Sequence, residues 1–117
     1  NCAWNADDID SILETLKNNY VHITFFMVGD WVDKYPDAVK KIYDAGHEIG
    51  SHSNTHPHVN NLSSEKNLEE INLSVNKIEK ITYSIAIEVA ILTSAVAAGY
   101  GVLENVKEKT KKFIDRL

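Results

Sequence analysis

The sequence predicts an α/β fold of alternating helices and parallel strands, and three features of its first 80 residues predict it. Apolar residues recur at helical spacing in separate segments. Short β-rich runs lie between those segments. Each change of period is marked by Gly, Pro or a side chain suited to capping a helix.

The first helix is carried by Ile9, Ile12, Leu13 and Leu16, with Asn5, Asp7 and Asp8 placed to complement its positive amino end. Residues Val21 to Val28 are β-branched and aromatic and are closed by Gly29, which reads as a short buried strand that includes His22. Asp30 is suited to cap a turn through Trp31 and Val32. Pro36 opens a second helix at its first position, Val39, Ile42 and Tyr43 form its apolar face, and Gly46 stops it. His47 to Ser51 reads as a second strand, and Asn54 to Asn61 as a loop. Ser63 or Ser64 caps a third helix with the stripe Leu68, Ile71, Val75 and Ile78. Working residues of such folds sit at the carboxyl ends of strands, and His52 lies one residue past the second.

Beyond residue 80 the pattern changes. Tyr83, Ile85, Ile87, Val89 and Ile91 alternate with smaller or polar residues, which favours a strand, although Ile81, Ile85, Leu92 and Val96 also fit a helical stripe. Val106, Phe113, Ile114 and Leu117 mark an amphipathic final helix. Residues 81–103 are long enough to span a bilayer, and their nine Ile, Val and Leu residues contribute about -4 kcal/mol on an insertion scale. Glu88 returns roughly 3 kcal/mol, and the small polar residues and glycines return more. A buried strand or core helix is therefore favoured over a membrane anchor.

The 117 residues suffice for one domain, and 44% hydrophobic content excludes a wholly disordered chain. A net charge of -5 with no basic stripe argues against nucleic acid as a partner. The basic run from Lys107 to Lys112 alternates with acidic residues and reads as a solvated helix face. With one cysteine, Cys2, there is no internal disulfide, and cysteine usage does not assign a compartment. Nothing in the sequence fixes an oligomeric state.

Four of the five histidines, His47, His52, His56 and His58, fall within one short segment. Neutral imidazole is a common metal ligand, and rings four residues apart converge on one ion when the turn between them is tight. Ser51, Ser53, Asn54 and Thr55 can supply the hydrogen bonds that fix the ring tautomers. On spacing alone the pattern is weak, and a polar surface loop accounts for it equally. His47 and His58 lack a partner at ligand spacing and read as structural or surface residues.

The surrounding residues add a resemblance. Thr24-Phe25-Phe26-Met27-Val28-Gly29, then Tyr35-Pro36, then Ala45-Gly46-His47-Glu48-Ile49-Gly50-Ser51-His52-Ser53-Asn54-Thr55-His56 resembles, in that order and separation, the NodB-homology polysaccharide deacetylases of carbohydrate esterase family 4. The resemblance covers about residues 1 to 81. It implies half of an irregular β/α barrel, with residues 1–81 a partial deacetylase domain and 82–117 a divergent carboxy-terminal segment. It further implies that His52 and His56 hold a divalent metal, zinc above all. The implied reaction is hydrolysis of N-acetyl groups on an amino-sugar polysaccharide such as peptidoglycan or chitin, by a cell-wall or extracellular protein.

The match also has gaps. Asn1-Cys2-Ala3-Trp4 resembles the family variant Asp-x-Ala-Trp, which places Asn1 at the catalytic base and Cys2 at the third metal ligand. An amide cannot take a proton from water near neutral pH, whereas a thiolate can ligate zinc. A small buried residue at a strand end is an equal reading for Cys2. The later family motifs, including the one that would supply the catalytic acid, are not found. No secretory signal precedes residue 1, and the expectation is a truncated product, a fusion or a diverged relative. The reading is metal-dependent deacetylation impaired by the missing groups, with a non-catalytic glycan- or metal-binding module, or an inactive fragment, as the alternative.

Overall fold

The computed structural model describes the backbone of residues 1–97 and the side chains of residues 1–85. Its elements are α1 (Ile9–Asn18), β1 (Thr24–Met27), α2 (Gly29–Lys34), α3 (Pro36–Asp44), β2 (Glu48–Ser51) and α4 (Ser64–Ala97), with one 3-10 turn at Val59–Asn61. β1 and β2 pair in parallel, Thr24 opposite Glu48 through Met27 opposite Ser51. Cys2 adds a parallel bridge to Met27 on the other side of β1. The predicted α/β class with parallel strands is what the chain adopts.

Hydrophobic burial concentrates between this sheet and the helices. Met27, Val39 and Ile42 are fully buried, with Val28, Trp31 and Val32 nearly so. The turn expected at Asp30 is a short helix whose Trp31 ring enters the core and donates Nε1–H to the Asn5 carbonyl at 2.8 Å. That bond ties the amino-terminal segment to the body. Asp8 occupies the amino-cap position of α1, but neither it nor its acidic neighbours makes a side-chain capping bond. Gly46 ends α3 as expected, in the left-handed conformation at φ 84°, where a side chain is disfavoured.

Four sequence expectations need correction. The first strand is shorter than Val21 to Val28, because residues 19–21 complete the end of α1. Val21 N–H donates to Leu16 O at 3.0 Å, and Tyr20 turns left-handed at φ 57°. His22 is consequently exposed and outside the strand, its ring 5.5 Å from that of His47. The strand favoured near residues 83 to 91 is instead helix. No Gly or Pro interrupts residues 64–98, and extending an existing helix is far easier than nucleating a new element. The stripe of α4 is also rotated: Ile78 is buried, but Leu68 and Ile71 are 58% and 50% exposed while Ser74 is fully buried. Ser74 meets Ser51 Oγ at 3.0 Å and donates to Met27 O at 3.4 Å, so this part of α4 covers the polar end of the sheet. Ser63 caps α4 through Oγ, which accepts from Lys66 N–H at 3.2 Å.

α4 crosses residues 81–82 without a break. Among the described residues no helix is long and apolar enough to cross a membrane. The final helix expected around Val106 to Leu117 lies outside the described residues, as does part of segment 81–103.

His47 is structural. It is buried against Phe25, and its Nδ1 accepts the Ile23 N–H at 3.3 Å. Burial, and then the nearby His22, holds its pKa below the ordinary imidazole range. At higher pH both folded and unfolded chains keep the ring neutral, and stability is full. As pH falls through about 6.5 the unfolded chain takes the proton first, so stability is lost. Thermal unfolding in chelator-treated buffer is expected to show a midpoint that drops from pH 7.5 to pH 5. His47→Asn, which can accept the same N–H but cannot titrate, is expected to flatten that slope.

Candidate metal centre

The site lies where the rule for parallel sheets places it, at the carboxyl ends of β1 and β2. His52 leaves β2 with its N–H bonded to Met27 O at 2.9 Å. The chain then turns sharply through Ser53 and His56, both left-handed at φ 64° and 60°. Each such residue costs on the order of 1 kcal/mol, so the turn must be held from outside.

It is held on two sides. The free N–H groups at the start of α2, those of Gly29 and Asp30, donate to Ser53 O and Asn54 O, both at 2.9 Å. Gly29 suits that approach, since a Cβ there would collide with Asn54 Oδ1 and lie 3.1 Å from Asn54 Cα, so that Asn54 would have to shift. From α4, the Glu70 carboxylate accepts Asn54 N–H at 2.9 Å, Thr55 N–H at 2.8 Å and Thr55 Oγ–H at 3.1 Å. Burial pushes the Glu70 carboxyl up, but the bonds from Thr55 and Asn54 and the Lys77 ammonium outweigh it and leave it below the usual range. Within the turn, His56 N–H donates to Ser53 Oγ at 3.1 Å.

The result is that the His52 and His56 rings stand 4.9 Å apart, tilted by 58°. Two imidazoles each held about 2.1 Å from a common ion at a near-tetrahedral angle place their ring centres roughly 5 Å apart. Burial, then His56, then the amino-terminal charge holds the His52 pKa below its ordinary range, in favour of the neutral form that ligates metals.

The third residue implied by the resemblance is placed differently. Cys2 and His52 flank the end of β1 from opposite sides, since Cys2 N–H donates to Phe26 O and Val28 N–H to Cys2 O. Two strand spacings put their backbones about 10 Å apart. The Cys2 side chain is buried, which above all pushes its thiol pKa up. Among the described residues no three His, Cys, Asp or Glu side chains gather as a ligand set, so Cys2 is not assembled with the pair. His58 is exposed.

Two residues were not legible as contributors to the site. Trp4 is 76% exposed with its ring 5.9 Å from His56. In the sequence it is only part of a motif. Glu70 lies on α4, and nothing in its spacing from the histidines marks it. A groove of about 360 Å³ beside β2, lined by Ile49, Ser51, Val75 and Ile78 among others, includes neither imidazole.

Comparison with known proteins decides the family. The family model described as polysaccharide deacetylase matches residues 4–104. The chain belongs to the polysaccharide deacetylase family. Among the relatives of this deacetylase chain is the Bacillus subtilis protein YlxY, 35% identical over 80 residues, 68% of this chain and 25% of that protein. Another is the Bacillus subtilis peptidoglycan-N-acetylmuramic acid deacetylase PdaC, 37% identical over 78 residues, 67% of this chain and 17% of that protein. The chain thus spans a quarter or less of the length of these two curated relatives. The solved structure of PdaC matches with a TM-score of 0.64 over 68% of this chain and 39% of that one. A carbohydrate esterase family 4 pseudoenzyme from Bacillus anthracis is 38% identical with a TM-score of 0.66, over 68% of this chain and 28% of that one.

Proposed function

We propose that this deacetylase-family chain contributes the metal-holding part of a site for metal-dependent hydrolysis of N-acetyl groups on an amino-sugar polysaccharide of the peptidoglycan type. The observation that carries this reading is the pair of imidazoles 4.9 Å apart at the end of β2. The donors suit zinc: two neutral nitrogens on a turn fixed by hydrogen bonds fill two corners of a tetrahedral site. When bound, the ion would polarise the amide carbonyl and acidify a water. The chain's own part is to hold the rings and to present Trp4 beside His56 as an exposed face on which a sugar ring can stack. Relatives named as peptidoglycan deacetylases support the substrate class.

A second reading, a metal-holding module without turnover, is favoured by Asn1. Its amide stands at the position the resemblance gives to the base, and it cannot accept the proton of an attacking water. The likeness to a pseudoenzyme supports the same reading.

One experiment separates the two: acetate release from an N-acetylated amino-sugar oligosaccharide by zinc-loaded chain, with and without chelator. The first reading expects chelator-sensitive release from the natural sequence. The second expects tightly held zinc with no acetate, and Asn1→Asp then raises release by about 10²–10⁴-fold, the usual contribution of a positioned base. A chain that takes up no zinc overturns both.

A further inference from the structure

We propose that Glu70 is the positioning residue of the histidine turn, its carboxylate holding Asn54 and Thr55 so that His52 and His56 face one ion. The inference rests on the metal-holding reading of that pair and goes beyond it by assigning its support to α4.

The turn has a geometric problem that its own residues do not solve. Between the two histidines the backbone passes through a left-handed residue at Ser53, and His56 itself is left-handed. The adjacent Asn54 and Thr55 N–H groups find no backbone carbonyl among the described residues. A single Glu70 oxygen, Oε2, takes both, at 2.9 and 2.8 Å, while Oε1 takes the Thr55 hydroxyl at 3.1 Å. Neutral side chains offer one acceptor oxygen at most, whereas a carboxylate offers two with lone pairs to spare. Bonds to a charged acceptor are also the stronger kind. On the opposite side the same segment is fixed through Ser53 O and Asn54 O by Gly29 and Asp30. Asn54 is therefore gripped by both its N–H and its C=O.

The two sides are joined. Lys77, two turns after Glu70 on α4, pairs with Asp33 of α2 at 2.6 Å and reaches Asp30 at 3.4 Å. The turn lies in a frame made by α2 and α4, and Glu70 is the member of α4 that touches it. Outer hydrogen-bond partners of this kind, which orient ligands without touching the ion, change metal affinity by about 10–100-fold when removed.

The test uses the full chain and Co²⁺, whose visible absorption reports both occupancy and coordination geometry. Glu70→Ala is expected to weaken Co²⁺ binding by about 10–100-fold, to alter the absorption of the saturated site, and to leave thermal unfolding of the metal-free chain cooperative. Glu70→Gln keeps one oxygen for the two amides but loses the charge and the second acceptor, and is expected to lie between Glu70→Ala and wild type. In the metal-free chain, Glu70→Ala is expected to speed hydrogen exchange of the Asn54 and Thr55 amides while Val39 and Ile42 keep their protection. If Glu70→Ala binds Co²⁺ like wild type, or leaves the Asn54 and Thr55 amides protected, the assignment is overturned. Equal losses in Glu70→Ala and Glu70→Gln would show that the oxygen shared by the two amides contributes nothing, and would also overturn it. A wild-type chain that binds no Co²⁺ instead removes the metal reading of the histidines, a separate failure.

Discussion

Replacing His52 by alanine is expected to abolish zinc binding, with a loss greater than the 10–100-fold typical of an outer-shell partner. The ring is one of the two imidazoles that the described residues bring together, and under the proposed metal-holding reading the lone imidazole left would not hold a zinc ion against water. Two readouts check this without any need for turnover. In calorimetric titration the heat of zinc binding should vanish. In thermal unfolding the wild-type chain should gain about 2.7 kcal/mol at zinc concentrations 100 times Kd, a gain that His52→Ala should lack. His56→Ala should behave in the same way. His58→Ala changes an exposed residue that has no place in the pair, and should leave both readouts untouched. If His58→Ala weakens zinc as much as His52→Ala does, binding is a diffuse property of a histidine-rich loop.

The second large effect is structural. Trp31→Ala should destabilise the chain by about 3–5 kcal/mol, the usual cost of emptying a buried aromatic site. Trp31 is 2% exposed, and its indole N–H holds the Asn5 carbonyl, so the substitution opens a cavity and releases the amino-terminal segment together. Domains of this size have only about 5–15 kcal/mol in hand, so the unfolding midpoint should fall by tens of degrees or cooperativity should be lost. Trp4 provides the control within the same chain. It is 76% exposed, and Trp4→Ala should change stability by less than about 0.5 kcal/mol. Denaturant melts of both variants followed by far-UV circular dichroism decide the matter. Similar losses in the two would show that burial of Trp31 is not what holds the segment.

The two tryptophans show how legibility divides. Trp31 could be placed in a turn after the first strand, but whether its ring points into the core depends on α2 forming there. Its first N–H groups find carbonyls on a loop more than 20 residues later in the chain. The same holds for α4. Period alone selected Leu68, Ile71, Val75 and Ile78 as its buried face. The sheet end that α4 covers is polar, so Glu70 and Ser74 turn toward it and Leu68 and Ile71 are left exposed. Residues 81–97 could not be assigned by period because the apolar positions satisfy two periods at once. Continuity with the helix already running from Ser64 decided between them.

By itself the sequence determined the α/β class, the helix-stopping glycine at 46, and the placement of His52 at the end of a parallel strand. These are local properties, fixed by hydrophobic period and by backbone conformations that few residues tolerate. Tertiary structure alone decided that His47 is a buried acceptor rather than a surface group, that Cys2 lies across β1 from the imidazoles, and that Glu70 holds their turn. Each of these depends on which backbone groups remain without partners once distant segments have packed, a quantity that no local window of residues contains.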